Sequence, residues 1–292
     1  MRIVHFSDIH VGAMTRDPTA LLDKRVLGLS NYFLRRHGTI NLELLERAIS
    51  VIKALLPDIV VCTGDITCIG SPEEFRHALA LLRPLAECRH FDFIYIPGNH
   101  DTYTQRRTCS AELEAAFREL NRKRWTRASL PVEYRHRNLR LFIVDECRPT
   151  HLVSSAGYLA SESRDRLQEW FNEPRSGREG RVLVGHYPLR DATGHRLGWR
   201  RELKNGKAIH DALQARTVDV ALCGHIHDPF CREESSGAME ICAGSLTVNG
   251  TLNVLDFTPA TGRFSQRWET ISSAEGTPIA IPAAPLNIRP AE

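Results

Sequence analysis

The chain has 292 residues, 42% hydrophobic and 25% charged, with a formal net charge of +3. That is the composition of a globular chain with a sizeable core; it excludes wholesale disorder, and the charge is too mild to call for nucleic acid as a partner. Eight cysteines without a C-x-x-C pair, an opening without a basic stretch before an apolar run, and no run of about 18 apolar residues predict no disulfide framework, secretory signal or membrane-spanning helix, hence a cytoplasmic protein.

In chain order, "RIVHF" (2–6) reads as a strand and is followed by Ser7, Asp8 and His10. The segment 20–38 mixes Leu, Val, Tyr and Phe with Lys24, Arg25, Arg35 and Arg36. It reads either as an amphipathic cap that lies on an anionic membrane surface or as an ordinary packing helix. "NLELLERAISVIKALL" (41–56) has apolar positions at helical spacing behind Asn41 as N-cap. "DIVVC" (58–62) is a strand leading to Gly64 and Asp65. "SPEEFRHALALLRPL" (71–85) opens as a helix does, with Ser71 as N-cap, Pro72 in the first turn and acidic residues just inside. "FDFIYI" (91–96) is a strand that ends in Gly98, Asn99, His100 and Asp101. "LRLFIV" (139–144) is a strand, "SESRDRLQEWF" (161–171) a helix, and "RVLVG" (181–185) a strand that delivers His186. Past a stretch containing Trp199, Arg200 and Arg201 come the helix "KAIHDALQAR" (207–216) and the strand "DVALC" (219–223), which runs into Gly224, His225 and His227.

Nearly continuous apolar strands alternating with helices predict an α/β fold whose parallel sheet is covered on both faces. After residue 225, "FCREES", "AMEICAG", "TLNVLDF" and "RFSQRWE" predict short strands that finish the sheet with an antiparallel portion. The expected boundaries are one domain over 1–272 and a Pro/Ala-rich tail over 273–292.

Five of these strands end in a Gly or Ser turn that delivers Asp, Asn or His. In parallel α/β sheets ligands bind beyond the carboxyl ends of the strands, so the five sets are expected to converge on one patch. Its donors are carboxylates, an amide and imidazoles, with no thiolate. Such donors suit Mn²⁺, Fe or Zn²⁺ rather than a soft metal. They are too many for one ion. Two cations about 3.5–4 Å apart with a shared carboxylate account for the number, and such a pair can acidify a water for attack at phosphorus. Residues two apart on an extended segment point the same way, so Asp8/His10 and His225/His227 can each serve one site. Each short motif alone is commonplace in turns. The argument lies in their order, each after its own strand.

The ordered set Asp8-Ile9-His10, Gly64-Asp65, Gly98-Asn99-His100-Asp101, Gly185-His186 and Gly224-His225-Ile226-His227 resembles the calcineurin-like metallophosphoesterase superfamily. The resemblance implies an αββα four-layer sandwich with two divalent metal ions at one edge, Mn²⁺ foremost with Fe or Zn²⁺ as alternatives. It places Asp8, His10 and His227 on the first ion, Asn99, His186 and His225 on the second, and Asp65 between them. It makes His100 the residue that serves the substrate's phosphate or leaving oxygen, with Asp101 orienting it. A hydroxide shared by the two metals would attack phosphorus in line.

Protein phosphatases of this superfamily carry Glu after G-N-H and an Arg-Gly lead into it; here Asp101 follows and Pro97 precedes Gly98. The G-N-H-D form is more similar to the cyclic-nucleotide phosphodiesterase-like branch, which implies a small-molecule phosphodiester as substrate. The stretch 20–38 is loosely similar to UDP-2,3-diacylglucosamine pyrophosphatases of the chlamydia-like type. That alternative implies a lipid-linked nucleotide diphosphate and peripheral contact with the inner face of a membrane. Arg200 and Arg201 read as a clamp for a phosphate or sugar, or as part of a surface loop. A metal-free scaffold of the same fold is opposed by the complete ligand set.

Overall fold

The computed structural model describes residues 1–15, 17, 25, 39–151 and 153–272. The expected cap over 20–38, apart from Arg25, and the tail over 273–292 lie outside the described residues. Arg25 is fully buried and paired with Asp17 at 2.8 Å.

Two sheets form the centre. The first holds β13 (Arg263–Thr270), β12 (Thr251–Thr258), β1 (Arg2–Phe6), β2 (Ile59–Cys62) and β3 (Asp92–Tyr95), in that order. The second holds β10 (Phe230–Glu233), β11 (Met239–Cys242), β9 (Val220–Cys223), β7 (Gly180–Val184), β5 (Leu139–Ile143) and β4 (Val132–His136). β6 (Gly157–Tyr158) and β8 (Leu203–Lys204) pair with each other as a two-stranded ribbon.

The strands are apolar on both faces because each face meets a different layer. Ile3, Ile59, Val61 and Ile94 of the first sheet pack against Leu141, Val182, Val184 and Leu222 of the second. The intervening residues, among them Val4, Val60 and Phe93, pack outward on α1 (Leu42–Ala54), α2 (Pro72–Ala86) and α3 (Arg107–Leu120). Phe142, Leu183 and Ala221 likewise face α4 (Ser161–Asn172) and α5 (Lys207–Gln214). A short helix, α6 (Leu246–Asn249), lies ahead of β12. This is the α/β/β/α sandwich, each fully buried aliphatic or aromatic side chain contributing about 1.5–3 kcal/mol. No helix among the described residues is long and apolar enough to cross a membrane.

Local signals explain the helix starts. The Asn41 side chain accepts from the Glu43 amide at 2.9 Å. Ser71 and Glu74 form a reciprocal capping box, with Pro72 at the first turn of α2.

The structure corrects the expected arrangement in three respects. The C-terminal strands divide between the two sheets of the sandwich that the resemblance implies, instead of finishing a single sheet as the strand pattern suggested. β11 pairs parallel with β9, whereas β10, β12 and β13 join antiparallel as expected. α3, β4, β6 and β8 were not expected. α3 starts at Arg107 without a side-chain cap, and two-residue strands leave no periodic signal.

Candidate metal centre

β1, β2 and β3 run parallel and in register, Phe6 beside Cys62 beside Tyr95, and β7 and β9 pair Val184 with Leu222. The five loops that follow therefore open at one edge of the sandwich. They are tied together by backbone: the Asp8 amide donates to the Gly64 carbonyl at 3.0 Å, His10 to Asp65 at 3.0 Å, and Gly224 to His186 at 2.9 Å.

The ligand atoms of Asp8, His10, Asp65 and His227 all lie within 4.8 Å of one another. Asp65 Oδ2 is 4.0 Å from His10 Nε2 and 3.6 Å from His186 Nε2. On that far side, Asn99 Oδ1 is 3.2 Å from His186 Nε2 and 2.7 Å from His225 Nδ1. All seven residues expected to ligate metal thus meet at one place, with Asp65 in the middle. Asp8, His10, Asp65 and His186 are essentially inaccessible.

The backbone is specialised for this convergence. Asp8, His10, Asp65, His225 and His227 all have positive φ, between 47° and 73°. Such left-handed residues cost about 1–3 kcal/mol each where a site needs them, and Asp and His tolerate the region better than most. The neighbouring glycines are required by close approach. A Cβ on Gly98 would stand 2.1 Å from Asp65 Oδ1, and one on Gly224 would stand 2.3 Å from Asp8 Oδ2.

The donor set fits divalent cations. The His10 Nδ1 lies 3.2 Å from the Thr67 carbonyl and the His186 Nδ1 2.6 Å from the Thr63 carbonyl. A carbonyl only accepts, so Nδ1 carries the hydrogen and Nε2 offers a lone pair inward, the usual arrangement behind a metal-binding imidazole. Those lone pairs meet other acceptors: His10 Nε2 faces His227 Nε2 at 2.8 Å. His225 Nε2 and Asp8 Oδ1 are buried without a hydrogen bond, although His227 Nε2 is 3.1 Å from that oxygen. Burial holds the His186 pKa below the ordinary imidazole value and, with the His186 charge acting in the same direction, holds that of His225 well below it. Neutral imidazoles are the form that binds metal. Burial alone would raise the Asp8 pKa, but the imidazoles of His10, His227 and His186 around it bring it well below the usual carboxylate range.

His100 sits beside this cluster, its ring 4.8 Å from that of His10 and edge-on to it. Asp101 does not orient it, which corrects the expected pairing. The Asp101 carboxylate is occupied by the amides of Ile66, Thr67 and Gly98 and the hydroxyls of Thr67 and Tyr95, at 2.8–3.3 Å. It fastens the turn. The His100 Nδ1 instead lies 2.5 Å from the Cys68 carbonyl, which leaves Nε2 as the working nitrogen, and its amide donates to Asp65 Oδ1 at 2.6 Å.

Arg201 is exposed on the segment ahead of β8. The Arg200 guanidinium stacks 4.9 Å over the Trp199 ring. Two residues were missed in the sequence. Glu146 is buried and accepts from the amides of His186 and Tyr187 at 2.8 and 2.9 Å; burial pushes its pKa up to about 7. It follows the strand "LRLFIV" just as the ligands follow theirs, and that position was the available signal. Tyr103 stacks on His100 with ring centroids 5.4 Å apart.

Fold and donor set together define a candidate centre for divalent cations at one edge of a two-sheet sandwich. The chain belongs to the calcineurin-like phosphoesterase family, whose model matches residues 1–229. It is 25% identical over 178 residues to a cAMP/cGMP dual specificity phosphodiesterase of Mycobacterium tuberculosis, covering 59% of this chain and 49% of that one. A Rhodococcus erythropolis protein named a probable cyclic nucleotide phosphodiesterase is 25% identical over 179 residues, 59% of this chain and 52% of that one. The chain spans about half the length of these curated relatives. Among solved structures, a dimetal phosphatase from Danio rerio shares the fold with a TM-score of 0.54 and 16% identity, covering 91% of each chain. A purple acid phosphatase from yellow lupin has a TM-score of 0.56 at 12% identity over 97% of this chain and 57% of that one.

Proposed function

We propose that the chain is a phosphodiesterase that binds two divalent metal ions and cuts small phosphodiesters, cyclic nucleotides among them. The observation that carries this reading is the place of Asp65, whose Oδ2 is 4.0 Å from His10 Nε2 on one side and 3.6 Å from His186 Nε2 on the other. One carboxylate between two donor groups is what a pair of cations requires.

Asp8, His10 and His227 would hold one ion and Asn99, His186 and His225 the other, with Asp65 shared. The ions, when bound, supply Lewis-acid stabilisation of a phosphate and lower the pKa of a water. The remaining chemistry falls to side chains. His100, fixed through Nδ1 on the Cys68 carbonyl, holds at Nε2 the proton that the leaving oxygen takes up.

A hydrolysis panel on the Mn²⁺-reconstituted protein tests the reading. It compares bis-p-nitrophenyl phosphate, cyclic AMP and a UDP-diacylglucosamine analogue. Cleavage of the soluble diesters, with a loss of at least about 100-fold in kcat for His100→Ala, supports it. Cleavage of the lipid-linked diphosphate alone would replace it with the pyrophosphatase reading. No turnover on any of the three, with metals bound, would sink it.

A further inference from the structure

A cavity of about 580 Å³ lies one side chain away from His100, against Tyr103. Tyr103, which stacks on His100, forms one wall. The facing wall is the loop after β5 and the ribbon strand β8, which contribute Arg148, Thr150, His151, Ser154 and Lys204. The β6–β8 pairing, with the Ser155 amide donating to the Arg200 carbonyl at 2.8 Å, holds these two segments together.

The cavity's charge is one-sided. No Asp or Glu lines it among the described residues. The Arg148 guanidinium carbon lies 3.8 Å from the centre of the Tyr158 ring, a cation–π contact that holds the group at the cavity wall. A concave surface carrying two cations and no carboxylate concentrates anions. No residue of the Asp8–His227 cluster lines this cavity, so its charge is separate from the donors of the centre. The volume is that of a site for a sugar-phosphate or a similar polar group. The larger cavity of about 680 Å³, against α5, differs in both respects: Glu202 and Asp211 line it, and Tyr103, the ring stacked on His100, does not.

We propose that the Tyr103–Arg148–Lys204 cavity is a second anion subsite. It receives a phosphate or carboxylate that the substrate carries in addition to the ester cut at the centre. The proposal deepens the phosphodiesterase reading and rests on it for the identity of the reacting group. It narrows the substrate class to diesters with a further anionic group, such as a nucleotide phosphorylated at both ends.

Binding and turnover test it separately. Equilibrium titration of the protein as purified compares thymidine 3′,5′-bisphosphate, thymidine 5′-phosphate and inorganic phosphate, with Arg148→Gln/Lys204→Gln beside wild type. The bisphosphate is expected to bind at least about 10-fold more tightly than the monophosphate, and the double variant is expected to lose that margin. Equal affinities in wild type overturn the proposal. So does inorganic phosphate bound through Arg148 and Lys204 with no gain for the bisphosphate, which would make the cavity a free-anion site. With Mn²⁺ present, thymidine 5′-(p-nitrophenyl phosphate) is then assayed with and without a 3′-phosphate. The added phosphate is expected to lower KM about 10-fold with little change in kcat. A tighter-bound bisphosphate with neither diester cut would retain the subsite and overturn the phosphodiesterase reading instead.

Discussion

His10 and His227 face each other through Nε2 atoms 2.8 Å apart, one from the first sheet's edge and one from the second's. With the His10 Nδ1 hydrogen turned to the Thr67 carbonyl, the His10 Nε2 lone pair competes with the Asp8 carboxylate, 3.5 Å away, for one space. A cation resolves that competition. Saturating Mn²⁺ at about 100-fold over its Kd should stabilise the protein by about 2.7 kcal/mol per site, a rise of about 5–10 °C in Tm. Chelation should reverse it. His10→Ala and His227→Ala should each remove most of the rise; an unchanged metal response in either variant would take that residue out of the centre.

Gly224→Ala should act as a ligand mutation. The new Cβ would stand 2.0 Å from Ser7 Oγ and 2.3 Å from Asp8 Oδ2, so Asp8 must move. The metal-dependent gain in Tm should be lost while metal-free stability falls by only about 1–3 kcal/mol. Gly198→Ala is the control, since its Cβ meets nothing within 4 Å; its stability should stay within about 0.5 kcal/mol of wild type.

Asp101→Asn should weaken the fold more than it alters proton transfer. The amide can replace one acceptor oxygen but turns a donor toward the hydroxyl and amides that the other one served. A loss of about 1–3 kcal/mol in unfolding free energy is expected, with the shape of the pH–rate profile retained. A limb displaced by more than about one pH unit would restore Asp101 as a partner of the His100 ring.

Glu74 makes stability depend on pH. Burial pushes its carboxyl up to about 8, partly offset by the amides of Ile69 and Ser71. A folded-state pKa above the unfolded one means that the proton favours the native form. The contribution is full below about pH 4.5 and is lost as pH rises through about 8. Glu74→Gln, which keeps an acceptor for the cap, should therefore flatten the fall in stability over that window. The variant should be the more stable by about 1–3 kcal/mol at pH 7. Parallel curves for the two proteins would mean that Glu74 is ionised in the native state.

The sandwich was legible in the sequence through the resemblance its motifs carry, and its layering was not legible from strand periodicity. A ligand after a strand end is a local event, written in a few adjacent residues, and all seven expected donors meet. The division into two sheets is not local: Ile3 and Val184 pack across the seam from 181 residues away in sequence, and apolar strands read alike whichever layer covers them. Asp101 was misassigned because adjacency in the chain suggested adjacency to the imidazole. The turn at Gly98 instead directs the carboxylate back to backbone amides. Glu146 was passed over because a lone acidic residue after a strand lacks the Gly or His that marked the others, although it supports His186 from behind. The ribbon of β6 and β8, which builds a wall of the anion cavity, is too short to carry any pattern.

Asp65 and His10 hang from one hydrogen-bonded layer, and His186 and His225 from the other. Nothing in the strand ladders fixes the gap between the layers; the side chains that fill the seam do, Ile94 and Val184 among them. Those residues act as the spacer of a two-jawed instrument, setting the distance between the two halves of the donor cluster. Thinning the spacer, far from any ligand atom, changes the opening of the jaws, and the aliphatic filling of the seam is in that sense the gauge to which the chemistry is cut.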